Sequence, residues 1–318
     1  MTKPIKVFGN SGSPYTQKIL ALLRYRNIPY TVSWGDVIHN LTLLDIEPPK
    51  PVLLPTMVFE DENGKAICKT DTTPIIRYLE KIYKNKSVIP ISPAISFLNY
   101  ILEDFADEWT TKYMFHYRWH FDEDAENAKK MLVLQHKLNI DNNSMNEFGN
   151  HIADRQINRL WVVGSNNDTA ELIDQSYKRY LIQLEEHLKN IPFMFGDRPS
   201  SSDFALYGQL TQLVGFDPTP RKIAINHSPR TVAWVNIMSD LSGLHDSELK
   251  STLETCFVVF IININPACNP IPYEIVFKLN LITAKNIPNT NKVRAASYCI
   301  ILKIFPKALK SSVKPVFQ

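Results

Sequence analysis

The chain has 318 residues, is 44% apolar, and carries 35 Lys/Arg against 32 Asp/Glu for a formal net charge of +3. Length suggests about two domains with real cores, and the charge is unevenly placed: residues 251–318 hold eight Lys/Arg but only Glu254 and Glu274, leaving residues 1–250 mildly acidic. No basic stripe of the kind nucleic-acid binding requires runs through that body, and the longest largely apolar stretch, Cys256 to Ile264, falls far short of the roughly 20 residues of a membrane-spanning helix.

Cys68, Cys256, Cys268 and Cys299 show neither CxxC nor zinc spacing, and Met1-Thr-Lys-Pro leads into a strand with no secretory apolar segment. A reduced, cytoplasmic setting is the expectation. An apolar strand, Ile5 to Phe8, passes through the Ser/Gly-rich turn Gly9-Asn-Ser-Gly-Ser13 into a helix over Tyr15–Arg26. Pro29 to Ser33 reads as a second strand, and Gly35 to Leu54 is weakly patterned and broken by Pro48, Pro49 and Pro51. Two short strands, Thr56–Phe59 and Ala66–Lys69, flank an Asn63-Gly64 turn and predict an antiparallel hairpin. Helix Thr73–Tyr83, with Ile75, Ile76, Leu79 and Ile82 on one face, closes a first unit over residues 1–85.

Three places in this unit point at a ligand. Ser13 stands where strand hands over to helix, one residue before Pro14. The first N–H groups of a helix lack intrahelical partners and its dipole is positive there, so a developing anion is stabilised. Ser13 therefore either caps the helix or helps hold a small thiol. At Pro55, which opens the third strand, a cis bond would present the backbone of Leu54 to a partner. At Thr70-Asp-Thr-Thr-Pro74, hydroxyls and free N–H groups at a helix start either cap that helix or make a carboxylate site.

Ser13-Pro-Tyr-Thr-Gln-Lys18 after the first strand, Leu54-Pro55 before the third, and Asp71-Thr72 opening the last helix resemble together the glutathione site of the glutathione S-transferases. The resemblance covers residues 4–245 and implies an α+β, thioredoxin-like N-terminal domain followed by an all-α domain. It implies glutathione as cosubstrate, Ser13 beside the thiol as the catalytic group (Ser11 and Tyr15 being nearby alternates), and Leu54 and Pro55 against the cysteinyl backbone. Asp71 and Thr72, in place of the family's usual Glu-Ser pair, would hold the γ-glutamyl carboxylate. The resemblance also implies a small electrophilic substrate and a homodimer. Ser13 to Thr16 lacks both cysteines of a CPYC redox site, which disfavours dithiol chemistry.

No strand period appears between residues 90 and 250, predicting an all-helical domain, with helices from about Pro93 and over Leu172–Leu188, Ser202–Val214 and Val232–Leu241. Phe195 to Ala205 resembles the family's loop and capping box, with Ser200 as N-cap and Asp203 as its N3 partner in a structural role. Glu103 with Asp107, and Asp104 with Glu108, are like-charged pairs four apart that need cations nearby, for which Lys112 and Arg118 are the nearest in sequence. His116 and His120 have metal-capable spacing but no HExxH pattern, so a packed pair is expected and no metal site. The aromatics from Trp109 to Trp119 are expected mainly in the core. Cys68 reads as an inward-facing strand position. Residues 251–318, without Gly or Trp, match nothing in the family; a packed extension, a basic membrane-touching tail and an aberrantly translated segment are the readings, with poor order expected. The function expected is activation of glutathione for attack on an electrophile; the alternative is a non-catalytic scaffold of the same fold with a vestigial pocket.

Overall fold

The computed structural model of the chain describes residues 3–244. β1 (Ile5–Gly9) buries every residue but Lys6 and runs through the middle of a four-stranded sheet ordered β2-β1-β3-β4. Helix α1 (Pro14–Tyr25) makes the crossover to β2 (Tyr30–Trp34), which pairs with β1 in parallel, Val7 opposite Val32. A short helix, α2 (Val37–Thr42), lies where sequence shows only a weakly patterned connection. Its six residues are too few for a helical period to register; Asp36 caps it and Val37 and Leu41 pack on Phe8 and Val58. β3 (Thr56–Glu60) is antiparallel to β1, and β4 (Ala66–Lys69) is antiparallel to β3 across the expected turn. Asp61 shapes that turn by accepting from Asn63 N–H at 2.9 Å and Lys65 N–H at 2.8 Å. Helix α3 (Thr72–Ile82) completes the thioredoxin-like arrangement.

The rest of the described chain is helical, as expected. α4 (Pro93–Phe105) runs into a π-helical turn (Ala106–Thr110) and on into α5 (Thr111–His120). Next come α6 (Asp122–His136), α7 (Asn142–Ile157), a 3-10 turn (Leu160–Val163) and α8 (Ala170–Leu188). α9 (Ser201–Gly215), α10 (Pro218–His227) and α11 (Pro229–Met238) follow. No helix among the described residues is long and apolar enough to cross a membrane. The expectations for residues 251–318, with Cys256, Cys268 and Cys299, fall outside the described residues.

α9 is buried nearly all round, which marks it as the central helix. It lies directly on α1: a Cβ at Gly208 would meet the carbonyl oxygen of Pro14 at 2.4 Å and Lys18 Cβ at 3.1 Å. Only glycine permits that approach. One apolar cluster accordingly runs from Val7, Leu22 and Leu79 through Leu98 and Tyr180 to Phe204 and Leu213, spanning sheet and helices without a break.

The start of α9 is fastened as its sequence suggested. Asp203, fully buried, accepts from Ser200 N–H at 2.9 Å, Ser200 Oγ at 2.8 Å and Met194 N–H at 2.8 Å. Burial pushes its carboxyl up to about 6, its hydrogen bonds opposing. Asp203→Ala strands two buried N–H groups, so a loss of about 3 kcal/mol is expected in denaturant unfolding; a loss below about 1 kcal/mol would remove the capping role.

Candidate functional site

Ser13 is the N-cap of α1: its Oγ accepts from Thr16 N–H at 3.3 Å, and Pro14 occupies the first helical position. The residue keeps 9% of its surface. It stands at the junction of two cavities, of about 670 and 470 Å³, that lie between the sheet unit and the helices. Volumes of this size are those of small-molecule sites.

The larger cavity brings together residues drawn from far apart in the chain. Ser13, Leu54, Asp71 and Thr72 all border it, facing α4, the π-helical turn and α5. Leu54 precedes Pro55 across a cis peptide bond and is about one-third exposed, while Pro55 is buried behind it. Asp71 caps α3, accepting from Thr73 N–H at 3.2 Å, with a backbone φ of 68° that L side chains seldom adopt. Thr72 is 3% exposed. Tyr15 borders the cavity, but its hydroxyl donates to the carbonyl of Asp107 at 2.8 Å, and burial with the Asp107 charge raises its pKa. Ser11 borders neither cavity; its carbonyl accepts from Gln17 Nε2 at 2.9 Å.

The floor of the larger cavity is a buried charge network. Lys18 Nζ lies 3.0 Å from Glu103 Oε1 and 2.7 Å from Asp107 Oδ2, all three side chains being buried. Thr73 Oγ1 donates to both carboxylates, Arg77 Nη2 reaches Glu103 Oε2 at 3.0 Å, and Ser201 Oγ donates to the same oxygen at 2.7 Å. Burial alone would raise the Glu103 carboxyl, but Lys18 and Arg77 hold it down at about 2. Burial raises Asp107 to about 6, Lys18 opposing and Glu103 adding. The cations that these acids need thus come from α1 and α3. Lys112 lies over the Trp109 ring at 4.6 Å with its charge acting on Glu108, as expected for that pair, whereas Arg118 is engaged elsewhere. Local sequence could not show partners 85 and 89 residues away.

Arg118 fixes the turn before Ser13. It is buried, forks onto Asp217 through Nε at 2.9 Å and Nη2 at 3.0 Å, and donates from Nη1 to the carbonyl of Gly12 at 3.3 Å. Gly12 itself touches α6, where an added Cβ would lie 2.4 Å from Leu132 Cδ2. Burial raises the Asp217 carboxyl to about 6, Arg118 opposing.

Of the aromatic block, Tyr113, Tyr117 and Trp119 are buried in the core as expected, Trp119 also bordering the smaller cavity; Phe115 is half-buried beside both cavities, and Trp109, against expectation, is exposed. His116 and His120 stack at 4.6 Å; His116 is buried, bonded through Nδ1 to Ser165 Oγ at 2.7 Å, and held down at about 4 by burial and by His120. Among the described residues no cluster of three or more His, Cys, Asp or Glu could hold a metal ion. Cys68 is half-buried beside Phe8 and Val58, and burial raises its thiol.

Sequence reading missed α7. Its Phe148, His151, Ile152, Arg155 and Gln156 border the smaller cavity; Gln156 also borders the larger, as does Arg159 just beyond the helix. The signal was present: these positions recur at three- and four-residue spacing, one face of a helix.

Residues 12–82 match the family model described as glutathione S-transferase, N-terminal domain. Glutathione S-transferase U4 of Arabidopsis thaliana is 24% identical over 104 residues, 33% of this chain and 44% of that protein, so the chain matches less than half the length of that curated relative. Among solved structures, a glutathione S-transferase of Ceriporiopsis subvermispora in complex with glutathione is similar at 17% identity and a TM-score of 0.48, covering 75% of this chain and 99% of that one. A glutathione S-transferase of Rhodospirillum rubrum F11 is similar at 16% identity and a TM-score of 0.44, covering 79% and 97%.

Proposed function

We propose that this chain, whose residues 12–82 match the N-terminal domain of the glutathione S-transferases, binds glutathione in the larger cavity and activates its thiol at Ser13 for attack on an electrophile. The observation that carries the proposal is convergence: Ser13, Leu54, Asp71 and Thr72 border one cavity although the chain separates them widely. Each matches a part of the tripeptide. The N-terminus of α3, with the Thr72 hydroxyl, suits a carboxylate. The acidic wall formed by Asp104, Asp107 and Glu108 suits an ammonium group. The Leu54 backbone, ahead of β3, offers amide pairing.

At the sulfur, Ser13 acts as donor. Its oxygen already accepts from Thr16 N–H, so the hydroxyl proton remains to be given to a thiolate. The positive end of the α1 dipole adds to this. Tyr15, whose proton is held by the Asp107 carbonyl, supports the reading less well. Thiolate is the nucleophile, and a free thiol with pKa of about 8.5 is mostly protonated at neutral pH. Attack forms a carbon–sulfur bond at the electrophile. A homodimer and a reduced, cytoplasmic setting belong to the same reading.

One observation favours a non-catalytic binding protein instead: Ser13 is only 9% exposed and already serves as a cap. Titration of the full chain with glutathione, following S–H ionisation by ultraviolet absorbance, separates the two. The enzyme reading expects a bound thiol ionising about one to two pH units below 8.5, with retention on immobilised glutathione. Binding without that shift favours the scaffold, and absence of binding removes both.

A further inference from the structure

The two cavities that meet at Ser13 differ in charge. Asp71, Glu103, Asp104, Asp107 and Glu108 border the larger one, against a single bordering cation among the described residues, Arg159. The smaller one has no carboxylate among its bordering residues and instead has Arg118, His136, His151 and Arg155. Its body is apolar, formed by Phe115, Trp119, Leu132, Phe148 and Ile152 from α5, α6 and α7. Arg118 is neutralised by the buried carboxylate of Asp217. Arg155 is exposed and makes no ion pair with any described residue, although Asp154 is its chain neighbour. His151 lies one helical turn before Arg155, and the His136 ring stands edge-on to Phe148 at 6.1 Å. An apolar slot with a permanent, unpaired cation and two imidazoles at its wall, opening beside the proposed thiol site, selects for charge as well as bulk.

We infer that the second substrate is an electrophile with an aryl or acyl body and a carboxylate, the body lying between Phe115, Trp119, Leu132 and Phe148 and the carboxylate on Arg155 and His151. This rests on the reading of Ser13 given above. Arginine offers the paired N–H donors that match a carboxylate, and imidazole retains a donor N–H in its neutral form. For an unsaturated ketone acid the step balances without a further reagent. The thiolate sulfur bonds to the β-carbon, the π pair moves to the α-carbon, and that carbon takes a proton equivalent to the one that the thiol gave up.

Binding tests the inference apart from catalysis. The probes are 4-oxo-4-phenylbutanoate, a saturated and unreactive aryl keto acid, and its methyl ester, titrated calorimetrically into the full chain, wild type and Arg155→Ala, with glutathione titrated separately into both. The acid is expected to bind wild type about tenfold more tightly than the ester, the size of one good charge-assisted contact. Arg155→Ala is expected to bring the two within about twofold while leaving ester and glutathione affinities unchanged. Arg155→Lys, which keeps charge but not the fork, is expected to fall between. Equal binding of acid and ester to wild type, no binding of either, or an acid preference that survives Arg155→Ala overturns the inference while glutathione binding stands untouched. A loss of glutathione affinity in Arg155→Ala also overturns it, by showing that the carboxylate recognised is the tripeptide's own. Glutathione failing to bind while the acid preference holds removes the reading at Ser13 and leaves this anion site in place.

Discussion

Ser13→Ala is expected to return the ionisation of bound glutathione to about 8.5 and to cut conjugation at pH 6.5 by roughly ten- to a hundredfold, the rate counterpart of one to two pH units of thiolate population. Because Ser13 also caps α1, the same change is expected to lower stability by about 1 kcal/mol. Ser13→Gly separates the two roles: glycine is a tolerable cap, costing only a few tenths of a kcal/mol, yet it has no hydroxyl. It should therefore match alanine in thiolate loss and wild type in unfolding. If Ser13→Gly retains the ionisation shift, the hydroxyl is not the group that holds the sulfur.

The second large effect is expected at Lys18. Lys18→Met leaves Glu103 and Asp107 buried on the same side of α1 without their shared cation. Removing one partner of a buried ionic cluster typically costs about 3–5 kcal/mol. The pH dependence has a definite sign. Glu103, held at about 2, adds stability that is present above its ordinary range and is lost as pH falls through 2. Asp107, raised to about 6, adds stability that is present below its ordinary range and is lost as pH rises through 6. Without Lys18 both carboxyls resist ionisation, so the penalty should be larger at pH 7 than at pH 5. Urea unfolding at the two pH values measures it, and an equal penalty at both would show that the cluster does not act as a charge network. Adding Asp107→Leu to Lys18→Met should recover part of the loss, since it removes one stranded charge.

Much of the fold could be read from local pattern because its signals are short-range. The β1 and β3 strands, the Asn63-Gly64 turn, the caps at Ser13, Asp71 and Ser200, and the apolar stripe of α3 each lie within a few residues of the chain. What escaped is of two kinds. The first is too brief or too polar to show a clear period, as with α2 and α6, whereas the period of α7 was present and went unread. The second is inherently long-range. Nothing near Glu103 announces that its cations are Lys18 and Arg77, and nothing near Gly12 announces that Arg118 will hold its carbonyl. The individual residues of the candidate site were nameable from sequence. Their common cavity, and the opposite charge of its two lobes, arise only when α5 and α7 are laid against the sheet unit.

The unbroken apolar cluster has a mechanical meaning. Swinging the sheet unit away from the helices would expose Leu22, Tyr25, Phe204 and Leu210 and would part Gly208 from Pro14. Each large side chain drawn into water costs about 1.5–3 kcal/mol, so a jaw-like motion about the 82–93 connection is closed off under native conditions. The mouth at Ser13 is accordingly of set width. Discrimination among molecules entering it falls to the static shape of the walls, and adaptive reshaping is left to exposed side chains such as Leu54, Phe148 and Arg155.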